Sequence, residues 1–291
     1  MQIRDYSLPR GWFPHDSAGV SAFLSDFSLS AENTSRAAIA PHAGWYYCGR
    51  IAARSVSSLK PDAQTIVVLG GHLGGGMKPL FAMEDAVKTP LGSLVIDAQL
   101  RSLLLEEING VEDCYRDNTV EVLLPMVHYF FPKAKLIWLR LPSDLSSFET
   151  GKIIYRCAEK LKRGVNVLAS TDLTHYGSNY GFSPKGRGSE ALRWMREVND
   201  AAFIKAVESG DSAEVLRLAE NDHSACSTGA VLGAMGFAHG CKARLLEYGT
   251  SADAGADADT GADAGTSSGA DKNDKKIVPD SFVGYASFTF S

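Results

Sequence analysis

Thr65-Ile66-Val67-Val68-Leu69-Gly70-Gly71-His72 is the stretch on which the fold turns. Ile66 to Leu69 are apolar on every position rather than on alternate ones, so both faces of the strand need cover. That is the pattern of a strand with helices on both sides, as in parallel α/β sheets. The run ends in two glycines and a histidine, so the chain turns where such a sheet carries its chemistry, at the strand's C-terminal end.

Working outward, strand-like runs at 36–40, 65–69, 135–141, 165–170, 243–248 and 282–290 alternate with stretches of helical spacing at 49–59, 98–108, 120–131, 145–161, 190–209 and 227–237. Strands alternating with helices predict one α/β domain over residues 1–291, a mainly parallel central sheet flanked by helices. The last run, Phe282–Phe290, is long enough to sit differently from the rest. One stretch breaks the alternation. From Thr250 to about Lys276 the chain is Ala, Gly, Asp, Ser and Thr in near-repeats, too poor in large apolar residues to offset its ordering entropy, and a mobile loop is expected. Its aspartates do not fall in the register of an EF-hand.

With 45% hydrophobic residues the chain has ample material for a core. A net charge of −5 lacks the basic footprint of a nucleic-acid binder, and no apolar run approaches the ~20 residues that span a bilayer. No membrane or nucleic-acid partner is expected, and the cytoplasm is the expected location. Five scattered cysteines without a C-x-x-C pair are neither a disulfide framework nor a zinc ribbon, so most should be free, buried thiols.

Two further segments leave predicted strands as His72 does: Ala40-Pro41-His42-Ala43-Gly44 and Ser170-Thr171-Asp172-Leu173-Thr174-His175-Tyr176-Gly177. Singly, each histidine reads as a cap or a hydrogen-bonded loop residue. Three histidine-bearing loops at strand C-termini suggest a metal, and Asp172 is close enough to His175 to orient a ring. Glycines around His72 also suit a phosphate loop, but no Gly-Lys-Ser/Thr follows and no clean G-x-G-x-x-G occurs. His128 lies within a helical run; His15 and His239 carry little signal; His223, three residues before Cys226, reads as a cap or a site neighbour.

The two loop segments, together with Tyr248, Thr250-Ser251-Ala252-Asp253 and Val283-Gly284-Tyr285-Ala286, resemble the Memo family, whose microbial members are called AmmeMemoRadiSam system protein B. Gly11-Trp12-Phe13-Pro14, Lys88-Thr89-Pro90-Leu91-Gly92 and Val120-Glu121 with Leu124-Pro125 add to the likeness, which runs from about residue 10 to the end. The resemblance implies the fold of class III extradiol dioxygenases, which hold non-haem Fe(II) on two histidines and a carboxylate. In Memo-like proteins a cysteine replaces the carboxylate. The implied metal ligands are His42, His72 and Cys226, with Asp172 and His175 as the catalytic pair; Fe(II) comes first and Cu or Zn second. Where relatives carry Gly-Pro-Ser-His and Glu-His-Ser-x-Glu, this chain has Gly70-Gly71-His72-Leu73 and Asp117-Asn118-Thr119-Val120-Glu121. The implied activity is a metal-dependent oxidoreductase acting on a small molecule. An accessory module that binds a peptide, or AMMECR-type and radical SAM partners, is the alternative, and a metal-dependent hydrolase the third; no Gly-x-Ser-x-Gly elbow offers a serine nucleophile.

Overall fold

The computed structural model describes residues 1–254 and 278–291. In chain order the strands are β1 (Ile3–Arg4), β2 (Ala37–Ala40), β3 (Thr65–Leu73), β4 (Leu80–Phe81), β5 (Ala86–Thr89), β6 (Gly92–Val95), β7 (Val111–Glu112), β8 (Lys135–Pro142), β9 (Val165–Ser170), β10 (His175–Gly177), β11 (Ala243–Thr250) and β12 (Ser281–Phe290). The helices are α1 (Ser17–Leu24), α2 (Trp45–Ser57), α3 (Ala98–Glu107), α4 (Asn118–Glu121), α5 (Leu124–Phe130), α6 (Ser146–Lys160), α7 (Ser189–Trp194), α8 (Ala201–Ser209), α9 (Ser212–Asp222) and α10 (Thr228–Phe237).

The main sheet has the order β10-β12-β2-β9-β3-β8-β4-β7, with β11 paired to β12. Its centre, β2-β9-β3-β8, is parallel as the alternation predicts. The flanks are not: β12 runs antiparallel to β2, β10 and β11, and β4 antiparallel to β8. The sheet is therefore mixed. β12 pairs antiparallel with β11 along Ala243–Thr250, and with β2 on its other side.

The all-apolar strands split their side chains between two cores. Ile66 and Val68 join Ala38, Leu136, Trp138 and Leu168 against α1, α2 and α5. Val67 and Leu69 join Ile39, Ile137, Leu139 and Val167 against α3, α6, α8, α9 and α10. Each large aliphatic chain fully buried in this way contributes roughly 1.5–3 kcal/mol. α10 is buried on all sides. A Cβ on Gly229 would stand 2.3 Å from the Pro142 carbonyl, one on Gly236 1.9 Å from that of Phe148, and one on Gly151 of α6 2.0 Å from that of Gly233. The missing side chains let α10 lie directly on α6 and on the end of β8.

Several boundaries differ from the sequence reading. The helix expected at 49–59 begins at Trp45, because exposed Tyr46 and Tyr47 hide its first turn from an apolar-period reading. The run 120–131 breaks in two at Val122–Leu123, ahead of α5, which carries Pro125 in its first turn. The run 190–209 contains a π-helical turn, Met195–Asp200, between α7 and α8. Thr250 ends a strand and Ser251–Asp253 forms a 3-10 turn closed by a capping box, so the expected loop does not begin at Thr250; its stretch 255–276 lies outside the described residues. Among the described residues no helix is long and apolar enough to cross a membrane, and the five cysteines are free.

Candidate metal centre

The C-terminal ends of β2, β3 and β9 meet the segment that leads into α10. His42 lies two residues beyond β2 and is fully buried. Its backbone N–H donates to Asp172 Oδ1 at 2.7 Å. Its Nδ1 is 2.7 Å from Ser170 Oγ, which leaves Nε2 aimed at Cys226 Sγ, 3.2 Å away. Asn118 Nδ2 donates to the His42 carbonyl at 3.0 Å and closes the loop from the other side.

His72 was expected in a loop beyond β3. It instead occupies an irregularity inside β3, where the register to β8 jumps between Gly70 and Leu73 and His72 takes a left-handed φ of 57°. The preceding glycines serve packing. A Cβ on Gly70 would meet Thr119 Oγ1 at 2.3 Å, and one on Gly71 would meet Ser227 Cβ at 2.4 Å. His72 Nδ1 donates to Asp117 Oδ2 at 2.9 Å, since a carboxylate can only accept. Asp117 also receives the Thr119 N–H at 2.8 Å and lies 3.3 Å from Arg140 Nη2. Buried Arg140 is held in turn by the Gly71 carbonyl and Asp113. Burial opposes ionisation of Asp117, but the bond from His72 and those from Thr119 and Arg140 prevail and bring its carboxyl down to about 2. Burial likewise opposes a proton on His72, and Asp117 and Cys226 override it to about 10.

Cys226 stands just before Ser227, the capping residue of α10. Its N–H donates to the Asp172 carbonyl at 3.2 Å. Burial works to keep the thiol protonated, yet His42, His72 and His175 together hold it well below its ordinary value. His42 is raised in return, with the sulfur and Asp172 outweighing its own burial. The two histidine rings stand perpendicular with centroids 5.1 Å apart, and donor atoms of His42, His72 and Cys226 all lie within 4.8 Å of one another.

The donor set fits a metal ion. Each ligating imidazole is fixed through Nδ1 and presents Nε2, and His72 sits in the carboxylate–histidine arrangement typical of metal sites. Two imidazoles and a thiolate would give such an ion three protein ligands and leave a further coordination position open. Zinc, copper and iron all accept such donors.

Asp172 and His175 border the same cavity, of about 760 Å³, beside His42, His72, Asn118 and Tyr285. Asp172 Oδ2 is 3.9 Å from His42 Nε2. Burial raises its carboxyl, with His42 opposing and Cys226 adding to the rise. His175, expected in a loop, begins β10 against β12. Its Nδ1 is 3.1 Å from the Leu173 carbonyl, so Nδ1 carries the hydrogen and Nε2 is free. The loop between them is anchored at Thr174, whose N–H and hydroxyl donate to Asp200 at 3.1 and 2.5 Å. The Gly11-Trp12 segment forms the rim: the Trp12 carbonyl accepts the Trp45 N–H at 2.8 Å, and Gly11 takes φ 101°.

The sequence reading did not pair Asp117 or Arg140 with His72. A signal existed in the lone arginine within the apolar strand 135–141, because a buried cation demands a carboxylate. His128 is held by Thr89 through a 2.7 Å contact, away from the centre. His223 ends α9 with a left-handed φ and packs its ring edge-on to Phe182.

This architecture defines an α/β protein with a pocket at the C-terminal edge of its parallel strands, where His42, His72 and Cys226 converge as three donors that could hold a metal ion. The chain belongs to the Memo-like family, whose family model, described as Memo-like protein, matches residues 7–267. A MEMO1 family protein of Pyrococcus abyssi is 31% identical over 269 residues, covering 84% of this chain and 92% of its own. One from Thermococcus onnurineus is 28% identical and covers 99% of both chains. A solved structure of an uncharacterised Escherichia coli K12 protein aligns over 88% of this chain and 99% of its own, with a TM-score of 0.47 and 14% identity.

Proposed function

We propose that the protein is a metal-dependent oxidoreductase that holds Fe(II) on His42, His72 and Cys226 and acts on a small molecule bound in the main cavity. The observation that carries this reading is the pinning of His42 and His72 through Nδ1, which presents two nitrogens and one sulfur to a common point. A bound metal would supply Lewis acidity and electron transfer. Copper fits the same donors; zinc would turn the site toward hydrolysis. In this reading His175 Nε2 takes or returns a proton at the substrate, and Asp172 holds the His42 backbone and sets the charge beside it. A reducing cytoplasm is the proposed setting, since it keeps Cys226 from oxidising.

The test is the metal content of protein purified without oxygen, wild type beside Cys226→Ser, followed by reconstitution with Fe(II), Cu(I) and Zn(II). Stoichiometric metal in wild type that is lost in the variant supports the reading. No retained metal under any of these conditions refutes it.

One observation favours a second reading, a non-catalytic accessory module. Asn118, where the family resemblance implies a histidine, spends its amide on the His42 carbonyl and brings no titratable group to the cavity. Capture of AMMECR-type or radical SAM proteins that survives both His42→Ala and Cys226→Ala would favour that module.

A further inference from the structure

The main cavity gives access to the two imidazoles of the centre, whereas the sulfur has an approach of its own. A separate pocket of about 340 Å³ is bordered by Cys226, Ala225, His223, Phe182 and Gly181, and it shares His175 and Tyr180 with the main cavity as a common wall. Neither His42 nor His72 lines it.

Three features define what it would hold. Its lining contains no Lys or Arg, so an anionic ligand would leave water without a counterion. Its walls carry two edge-to-face ring pairs, Phe182 with His223 and His175 with Tyr180, each with centroids 4.9 Å apart; such walls suit a flat apolar body. The His175 Nδ1 hydrogen is committed to the Leu173 carbonyl, so on this wall shared by the two cavities the neutral ring has Nε2 alone left to accept a hydrogen bond. The volume lies at the low end for ligand sites and suits a small occupant.

We propose that this side pocket is a second ligand site, for a compact, uncharged, single-ring molecule with one hydrogen-bond donor, seated against the sulfur of Cys226. Molecules in the two cavities then reach one set of donors from two directions. The proposal rests on the pocket and not on the metal reading: it is tested on metal-free protein, so failure of either leaves the other standing.

Phenol is the probe and benzoate its charged counterpart. Metal-free protein carrying labelled histidine is titrated with phenol and followed by NMR, while iodoacetamide alkylation of Cys226 is timed in parallel. Saturable shifts are expected at His223 and His175 and not at His15 or His239, with alkylation slowed as phenol saturates. Ala225→Phe, which places a ring in the pocket from a partly exposed position, should abolish both effects. Phe182→Ala should weaken phenol binding roughly tenfold, the order of an aromatic contact with its buried area. His223→Ala probes the same wall from an exposed position if the Phe variant does not fold. Shifts that persist in Ala225→Phe, shifts centred on His72, or benzoate binding as tightly as phenol would each overturn the proposal.

Discussion

Replacing Asp200 by Asn should change how stability responds to pH, and the size of the change follows from its surroundings. Asp200 is fully buried at the end of the π-helical turn. Burial pushes its carboxyl up from an ordinary 3.8 to about 6, although Thr174 and Tyr248 donate to it and pull the other way. The folded protein therefore binds this proton more tightly than the unfolded chain does. The contribution is full below the unfolded value near 3.8 and is lost as pH rises through about 6. The interval between the two values corresponds to about 3 kcal/mol. Asn cannot ionise, its oxygen can accept from Thr174, and its N–H can donate to the Tyr248 oxygen. In urea unfolding from pH 4 to 7.5, where most of that contribution is lost, Asp200→Asn should therefore gain about 2 kcal/mol on wild type between the ends of the range. Other carboxylates titrate alike in both proteins and cancel. A gap between the two proteins that stays flat across the window would refute the assignment of a protonated, burial-shifted Asp200.

Asp117→Asn removes the carboxylate behind His72 and should weaken metal binding about 10- to 100-fold, measured by competition with a chelator, while Glu121→Gln at the other end of α4 should not. Gly151→Ala forces a methyl to within 2.0 Å of the Gly233 carbonyl and should unfold the protein several degrees earlier in a thermal melt. Gly284→Ala drives a Cβ to within 2.0 Å of Asp200 Oδ2, and it should disturb His175 NMR signals by displacing the same loop. His175→Ala should leave metal stoichiometry intact and remove turnover once a substrate is found; metal lost with the imidazole would contradict its role as a proton carrier.

The central sheet was legible because β3, β8 and β9 each carry a run of consecutive apolar residues, Ile66–Leu69, Leu136–Leu139 and Val167–Ala169, which needs cover on both faces. The short strands were not. β1, β4 and β7 are two residues each, too short to carry any period, and they exist through pairing partners distant in sequence. α9 had both a capping aspartate, Asp211, and apolar residues at Val215, Leu216 and Leu218, yet the alternation passes over it. The histidines stood out from their positions after apolar runs. Asp117 did not, because what makes it matter is Arg140, 23 residues later on another strand, and His72, 45 residues earlier. Such pairings depend on tertiary contact, and a linear reading registers only the isolated charge.

The glycine seam between α10, α6 and β8 has a consequence for how the centre can evolve. Because backbone lies against backbone there, the helix has no side-chain padding through which to shift, and residue 226 inherits a fixed station at the mouth of the sheet. The identity of that one residue can then be exchanged without re-laying the scaffold. A carboxylate at 226 would meet the same two imidazoles from the same direction, so preference between soft and hard metals becomes a variable held at a single codon.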